Sequence, residues 1–164
     1  MSHSGELGGI LSREEMRREV ERLHAAGKKV VFTNGSFDLL HVGHLTYLKF
    51  AREQGDCLVV GLNSDASVKR YKDARRPIVP EGERAALLAG LKPVDYVVIF
   101  DEDEPRDLIA FLQPDVLVKG EDWAHYVSGR DVVEAAGGKV VLAKLVAGKS
   151  TTDVIQKVLA TYRE

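Results

Sequence analysis

Five short, continuous apolar runs alternate with segments of helical pattern, and this alternation restricts the fold more than any other feature of the sequence. The runs cover residues 30–32, 57–62, 96–100, 116–118 and 139–145. Strands that are apolar throughout are buried on both faces, as parallel strands covered by helices are. The sequence therefore predicts an α/β fold, a doubly wound sheet of five parallel strands with helices on both faces.

The beginning of the chain differs from the rest. Residues 1–11 are small, polar and glycine-containing, and they are expected to form a disordered lead or a linker. Ser12 and Glu15 have the spacing of a capping box, which predicts a first helix over 12–26. Because 164 residues suit one hydrophobic core, residues 12–164 are expected to form a single domain.

Charge and cysteine usage restrict the partners and the compartment. The formal net charge of −2 gives no bias toward nucleic acid or a membrane surface. Cys57 is the only cysteine and lies in an apolar run, so it is expected to be a buried, unreactive thiol. No stretch reaches the roughly 18 apolar residues of a membrane helix. These features predict a cytoplasmic protein.

Polar and glycine residues gather where the predicted strands end. In open parallel sheets, ligands bind outside the carboxyl ends of the strands. The residues at those ends are Thr33, Asn34, Gly35, Phe37 and Asp38, then Asn63 and Asp65, then Asp101, then Lys119, Gly120, Asp122 and Trp123, and finally Ser150, Thr151 and Thr152.

The first strand runs into a helix through a junction that contains His41, Gly43 and His44. The first N–H groups of a helix lack intrahelical partners, and the helix dipole favours negative charge there. Gly43 allows a close approach, and the two imidazoles, three residues apart, can point the same way. The junction is therefore a candidate phosphate site.

Cations follow the second strand and open a later helix. Residues 69–76 supply five cations in eight positions, and Lys72 is the best candidate to meet a leaving pyrophosphate. Arg84, in a first helical turn, is a candidate forked phosphate donor. A solvated basic loop and a surface arginine are the alternative interpretations.

Two further strand ends leave alternatives open. Ser150 or Thr151 caps a last helix whose free N–H groups can bind phosphate, but Ala143 replaces the first glycine that a P-loop requires. Trp123 either lines a base pocket or belongs to the core, and Asp122 can accept hydrogen bonds from a sugar or a base.

Other classes of site fit poorly. A metal site at His41, His44 and Asp38 is disfavoured, because two histidines three residues apart lack an evident third and fourth protein ligand. Ser36 lacks the Gly-x-Ser-x-Gly elbow of a serine hydrolase. A flavodoxin-like carrier is disfavoured, because the first junction offers histidines instead of a hydroxyl-rich loop.

The His-x-Gly-His run resembles the signature of the cytidylyltransferase-like nucleotidyltransferases, which share a Rossmann-like fold. From Lys28 to about Gln156 the chain is most similar to the adenylyltransferase half of bacterial ADP-heptose synthesis enzymes. The runs that carry this resemblance are 32–35 with 37–38, 63–67, 76–77, 83–84, 117–120 and 150–152.

The resemblance implies AMP transfer from ATP to D-glycero-β-D-manno-heptose 1-phosphate by direct in-line attack, with Mg²⁺ carried by the nucleotide and not held by direct protein ligands. It also allows for a homodimer and a separate upstream sugar kinase. The catalytic residues it implies are His41, His44, Lys72 and Arg84. The implied nucleotide contacts are Thr33, Asn34, Gly35, Phe37, Asp38, Gly43, Lys119, Gly120, Asp122, Trp123, Ser150, Thr151 and Thr152, with Asn63 and Asp65 as acceptor contacts.

Two departures from the family pattern matter. Many relatives carry Cys at Ser36, which favours a packing or backbone role for this residue. Glycerol-3-phosphate cytidylyltransferases typically carry Arg where this chain has Leu145, which weakens that alternative. A cytidylyltransferase for an alcohol phosphate and a catalytically silent nucleotide-binding module stay open as competing hypotheses.

Overall fold

The computed structural model describes residues 9–146 and 150–163, and it confirms the predicted architecture. The strands are β1 (Val30–Gly35), β2 (Cys57–Asn63), β3 (Tyr96–Phe100), β4 (Val116–Gly120) and β5 (Lys139–Ala143). The helices are α1 (Arg13–Ala25), α2 (Val42–Arg52), α3 (Asp65–Tyr71), α4 (Glu81–Ala89), α5 (Arg106–Leu112), α6 (Arg130–Ala135) and α7 (Thr151–Tyr162), with a 3₁₀ turn at Glu121–Trp123.

The five strands form one parallel sheet in the order β3-β2-β1-β4-β5. The chain winds outward from β1 to β3 and then returns across β1 to β4. The winding direction therefore reverses between β1 and β4. In open α/β sheets, the crevice beyond the carboxyl ends at such a reversal is the usual ligand site.

Alternate residues of each strand pack on opposite faces of the sheet. On one face, Met16 of α1 packs in a cluster with Phe32 and with residues of α5 and α6. On the other face, Leu48 of α2 and Leu88 of α4 pack in a cluster with Val31. This double coverage explains why the strands have no polar face.

Three expectations about element bounds need correction. Residues 9–11 run beside β3 through an Ile10–Val97 bridge and are not part of a disordered lead, while residues 1–8 lie outside the described part. Residues 69–71 of the basic stretch, which were not assigned to a helix from the sequence, belong to α3. The Ser64 hydroxyl caps this helix by accepting from the Ser67 N–H. Strand β5 ends at Ala143 instead of residue 145.

The structure agrees with the expectation of an unreactive thiol. Cys57 is buried, and burial raises the pKa of its thiol to about 12. Ser12 and Glu15 form the predicted capping box at the start of α1. None of the described helices is long and apolar enough to cross a bilayer.

Candidate active site

Two adjacent cavities lie beyond the carboxyl ends of the strands and share six lining residues. The larger lobe, about 590 Å³, extends toward the ends of β2 and β4. The smaller lobe, about 490 Å³, extends toward Arg76 and the start of α7. The residues that line both lobes are Ser36, His44, Tyr47, Lys72, Asp122 and Leu145.

The two histidines are fixed against each other at the start of α2. The His41 N–H donates to His44 Nδ1 over 3.2 Å, and the Gly43 N–H donates to His41 Nδ1 over 3.1 Å. The imidazoles stack with ring centroids 3.9 Å apart. Because both Nδ1 atoms accept, the neutral form of each ring carries its proton on Nε2.

His44 is held in its neutral form. Burial, together with His41 and Lys72, lowers the pKa of His44 to about 4. A neutral imidazole with its proton on Nε2 is a hydrogen-bond donor that adds no charge of its own. His44 lines both lobes, whereas His41 and Gly43 line the smaller one.

The loop between β1 and α2 has an unusual backbone conformation. Phe37 and Leu39 adopt left-handed φ angles of 46° and 50°, which are uncommon for such side chains. Between them, the Asp38 carboxylate accepts hydrogen bonds from the N–H groups of Ile78 and Val79. These contacts hold a strained loop beside the histidines, and strain of this kind is typical of functional sites.

Asp38 is thus an anchor and not a contact to ligand. Its side chain is buried and lines neither lobe. Its carbonyl accepts a hydrogen bond from the Thr151 hydroxyl, which ties this loop to the start of α7. The expectation that Asp38 binds the nucleotide directly is not matched by its position.

Arg84 also lies beneath the site instead of in it. Its side chain is 1% exposed. Its guanidinium donates to the carbonyl oxygens of Ser36 and Asn63 over 2.7 and 2.9 Å, and to Val79 over 2.8 Å. The remaining bond, 2.7 Å long, joins it to the Asp65 carboxylate. These four bonds occupy the guanidinium, so Arg84 holds together the loops that follow β1 and β2. The expectation that it donates to a phosphate is therefore corrected.

Asp65 and Thr33 have similar supporting positions. Neither lines a lobe. Asp65 pairs with Arg84 instead of reaching an acceptor. The Thr33 hydroxyl donates to the Val118 carbonyl over 2.8 Å and lies 2.6 Å from the Tyr47 hydroxyl. Thr33 therefore positions Tyr47, whose ring lines both lobes.

The end of β4 contributes a cation and an aromatic ring to the larger lobe. Lys119 Nζ lies 5.2 Å from the centroid of the Trp123 ring and 3.5 Å from Asn34 Oδ1. Burial lowers the pKa of Lys119 to about 8. A Cβ atom at Gly120 would meet Asp122 Oδ1 at 2.5 Å, so glycine permits this carboxylate to fold back. Trp123 is 44% exposed, so it belongs to the cavity wall and not to the core.

The smaller lobe is the more cationic of the two. Lys72, Arg76 and Lys144 line it. Ser150 caps α7 by accepting from the Asp153 N–H, and Ser150, Thr151 and Thr152 all line the lobe. Phosphates favour such a combination of cations, hydroxyls and a helix N-terminus. Residues 148 and 149, just before this cap, lie outside the described part of the chain.

Several lining residues were not predicted from the sequence. Tyr47 is three residues beyond His44 on α2, and this helical spacing is a signal that could have identified it. Arg76 belongs to the basic stretch that had been recognised. Asp103, Glu104 and Tyr126 come from loops, and no sequence pattern marks them.

A magnesium ion bound to a nucleotide fits the donors of the smaller lobe. Mg²⁺ is usually held by substrate phosphates, water and one or two carboxylates. The carboxylates that line this lobe are Asp122 and Asp153. Among residues 9–146 and 150–163, no group of three or more His, Cys, Asp or Glu side chains forms a protein-only metal site.

The fold and the cleft together define a nucleotide-binding α/β domain. The family model for cytidylyltransferase-like proteins matches residues 32–157, and the chain belongs to this family. This match confirms the resemblance seen in the His-x-Gly-His run.

The chain is also similar to individual known proteins. It is 53% identical to the bifunctional protein HldE of Geobacter metallireducens over 163 residues, covering 99% of this chain and 33% of that protein. It is 62% identical to HldE of Geotalea uraniireducens over 133 residues, covering 80% and 27%. The chain thus spans about a third of the length of these curated relatives.

A solved structure matches as well. It is the crystal structure of the lipopolysaccharide core biosynthesis protein from Thermoplasma volcanium, with a TM-score of 0.60 and 29% identity. The match covers 73% of this chain and 98% of that one.

Proposed function

We propose that this domain transfers AMP from ATP to a sugar 1-phosphate, D-glycero-β-D-manno-heptose 1-phosphate, and releases pyrophosphate. The observation that carries the proposal is that His44, a neutral donor, lies in the wall shared by a cationic lobe and a polar, aromatic lobe. The similarity to proteins named HldE, together with the resemblance to ADP-heptose enzymes, supports the sugar.

The reaction is a single displacement at the α-phosphorus of ATP. An oxygen of the acceptor phosphate forms a bond to that phosphorus, while its bond to the oxygen that bridges to the β-phosphate breaks. Pyrophosphate leaves with the electrons of that bond. His44 and His41 donate to the α-phosphate oxygens, and Lys72 and Arg76 meet the charge that collects on pyrophosphate.

A magnesium ion carried by ATP would be met by Asp122 and Asp153 and would reduce the charge on the triphosphate oxygens. The chain's own contribution is to align the acceptor phosphate and the α-phosphorus and to donate hydrogen bonds where charge develops. The roles proposed for Asn34, Gly35, Phe37, Lys119, Asp122 and Trp123 are contacts to the nucleotide, since they line the larger lobe next to His44.

The acceptor and the base are tested by one assay. Pyrophosphate release is measured with Mg²⁺ for ATP and CTP, each against heptose 1-phosphate, glycerol 3-phosphate and ethanolamine phosphate. We expect release with ATP and heptose 1-phosphate alone. Release with CTP and an alcohol phosphate would contradict the proposal. Nucleotide binding without release in any pair would instead favour a silent binding module.

Leu145 supports the choice of ATP and a sugar phosphate over the cytidylyl alternative. It lines both lobes and supplies an apolar wall where glycerol-3-phosphate cytidylyltransferases typically carry arginine. Phosphorylation of a sugar by a kinase is one source of such an acceptor, and we infer that a sugar kinase acts upstream. The use of ATP supports a cytoplasmic location.

A homodimer also belongs to this proposal. Val158, Leu159 and Tyr162 expose apolar surface along one side of α7. Their spacing of three and four residues places them on one helix face. An apolar face of this kind is available to a second copy of the chain.

The expected effect of Lys72→Ala is a fall in turnover of about tenfold to a hundredfold, because one cation near the leaving group is lost. Burial and the nearby Arg76 lower the pKa of Lys72, because its ammonium group is partly desolvated and lies close to a second cation. The matched control is Arg75→Ala, since Arg75 lies in the same stretch but pairs with Asp73 at the surface. Equal kcat and KM for Lys72→Ala and the wild type would exclude Lys72 from the site.

A further inference from the structure

Asn63 is a buried amide at the end of β2, in the wall of the larger lobe. Its side chain is 2% exposed. Its Nδ2 donates to Ser67 Oγ over 3.1 Å, and Ser67 Oγ donates to the Glu102 carbonyl over 2.8 Å. The three groups form a short hydrogen-bond chain behind the cavity.

This chain determines which way the Asn63 amide points. A carbonyl can only accept, so the single Ser67 hydroxyl proton is used on Glu102, and Ser67 Oγ must accept from Asn63. The amide nitrogen therefore faces Ser67, and Oδ1 is the atom left for other contacts. Among residues 9–146 and 150–163, no group donates a hydrogen bond to Asn63 Oδ1.

A buried acceptor without a donor is unfavourable, and a ligand that supplies the donor removes that cost. Phosphate oxygens accept hydrogen bonds at neutral pH, so a phosphate cannot be the partner. A sugar hydroxyl is a neutral donor of the right kind. Both the acceptor sugar and the ribose of the nucleotide carry such hydroxyls.

The sheet order favours the acceptor sugar. β2 lies on one side of β1, and β4, with the nucleotide contacts proposed at Lys119 and Trp123, lies on the other. His44 follows β1, between these two sides. A nucleotide over β4 leaves the β2 side of the larger lobe for the second substrate.

We propose that Asn63 Oδ1 accepts a hydrogen bond from one hydroxyl of the acceptor sugar and thereby selects the acceptor, with Ser67 as a positioning residue that orients the amide. The inference rests on the proposed function. It adds a hydroxyl-specific subsite, a named accepting atom and the Ser67 and Glu102 groups that orient it.

The test uses heptose 1-phosphate and its monodeoxy analogues with the full chain. The wild type should lose about tenfold to a hundredfold in kcat/KM for the one analogue that lacks the contacted hydroxyl. This comparison needs no variant. Asn63→Ala should show a similar loss with the complete sugar phosphate and no further loss with that analogue, while KM for ATP stays unchanged.

Ser67→Ala separates positioning from folding. It keeps Asn63 Oδ1 but removes the group that orients the amide. We expect a raised KM for the sugar phosphate, a reduced preference over the same deoxy analogue and an unchanged KM for ATP. A purely structural role would leave the preference between the two sugars intact.

The possible failures are distinct. Equal kcat/KM of the wild type for all the deoxy sugars would overturn the inference and leave the proposed function standing. The inference would also fail if Asn63→Ala lost the preference for ATP over 2′- or 3′-deoxy-ATP but kept the preference for the complete sugar over the deoxy sugar. That result would place the contact on the ribose of the nucleotide. A wild type that is inert toward ATP and heptose 1-phosphate would overturn the proposed function itself.

Discussion

Replacement of His44 by alanine should lower turnover on the order of a hundredfold or more, the scale for removing one donor to a transition state. The reason is geometric: His44 lines both lobes, and its Nδ1 accepts from the His41 N–H, which leaves Nε2 as the donor. Steady-state pyrophosphate release gives kcat, and equilibrium binding gives the affinity for ATP. The loss should fall mainly on kcat.

His44→Gln is the matched variant, because its side-chain amide can place an N–H near the position of Nε2. We expect it to retain more turnover than His44→Ala. Both variants lose the contact from the His41 N–H, which costs about 1 kcal/mol of stability and is checked by urea unfolding. Near-normal turnover by a folded His44→Ala enzyme would remove His44 from the mechanism.

Arg84→Met should lower the free energy of unfolding by about 3–5 kcal/mol. The substitution keeps the length of the side chain but leaves three backbone carbonyls and the Asp65 carboxylate without the buried guanidinium. Urea unfolding followed by circular dichroism measures the change.

This prediction separates the two roles considered for Arg84. A residue that contacts phosphate would lower kcat and leave the unfolding free energy close to that of the wild type. Asp65→Asn is the control, since it removes a half-exposed charge but keeps an oxygen that accepts from Arg84, and its cost should be much smaller. Unchanged stability in Arg84→Met would contradict the structural role.

The fold could be predicted because its signal is local and repeated. Each of the five strands contains a short apolar run, and segments of helical pattern separate the runs. Helix α3 was missed because its last three residues, 69–71, were grouped with the basic stretch 69–76. The Ser64 cap was the available signal.

The site was predicted at the correct edge of the sheet, but burial changed several roles. From the sequence, Arg84 was expected to meet a phosphate, Asp38 the nucleotide and Asp65 the acceptor. In the structure, Arg84 instead pairs with Asp65, and Asp38 accepts from the backbone N–H groups of Ile78 and Val79. These partners lie in distant segments of the sequence. Which charged side chains are paired inside the protein is therefore decided by the packing of the fold.

Contacts between distant segments also explain why some site residues were missed and why the role of others was predicted only in part. Asn63 could be placed at a strand end from the sequence, but the orientation of its amide depends on Ser67 and on the Glu102 carbonyl, 39 residues further along the chain. Tyr126 and Glu104 reach the larger lobe from loops that have no periodic pattern.

The central claim is direct transfer of the adenylyl group from ATP to the acceptor phosphate beside His44. It is tested by using one diastereomer of adenosine 5′-(α-thio)triphosphate with heptose 1-phosphate and determining the configuration at phosphorus in the nucleotide sugar by ³¹P NMR. A single in-line displacement predicts the nucleotide sugar with inverted configuration. Retention of configuration at phosphorus would contradict the account.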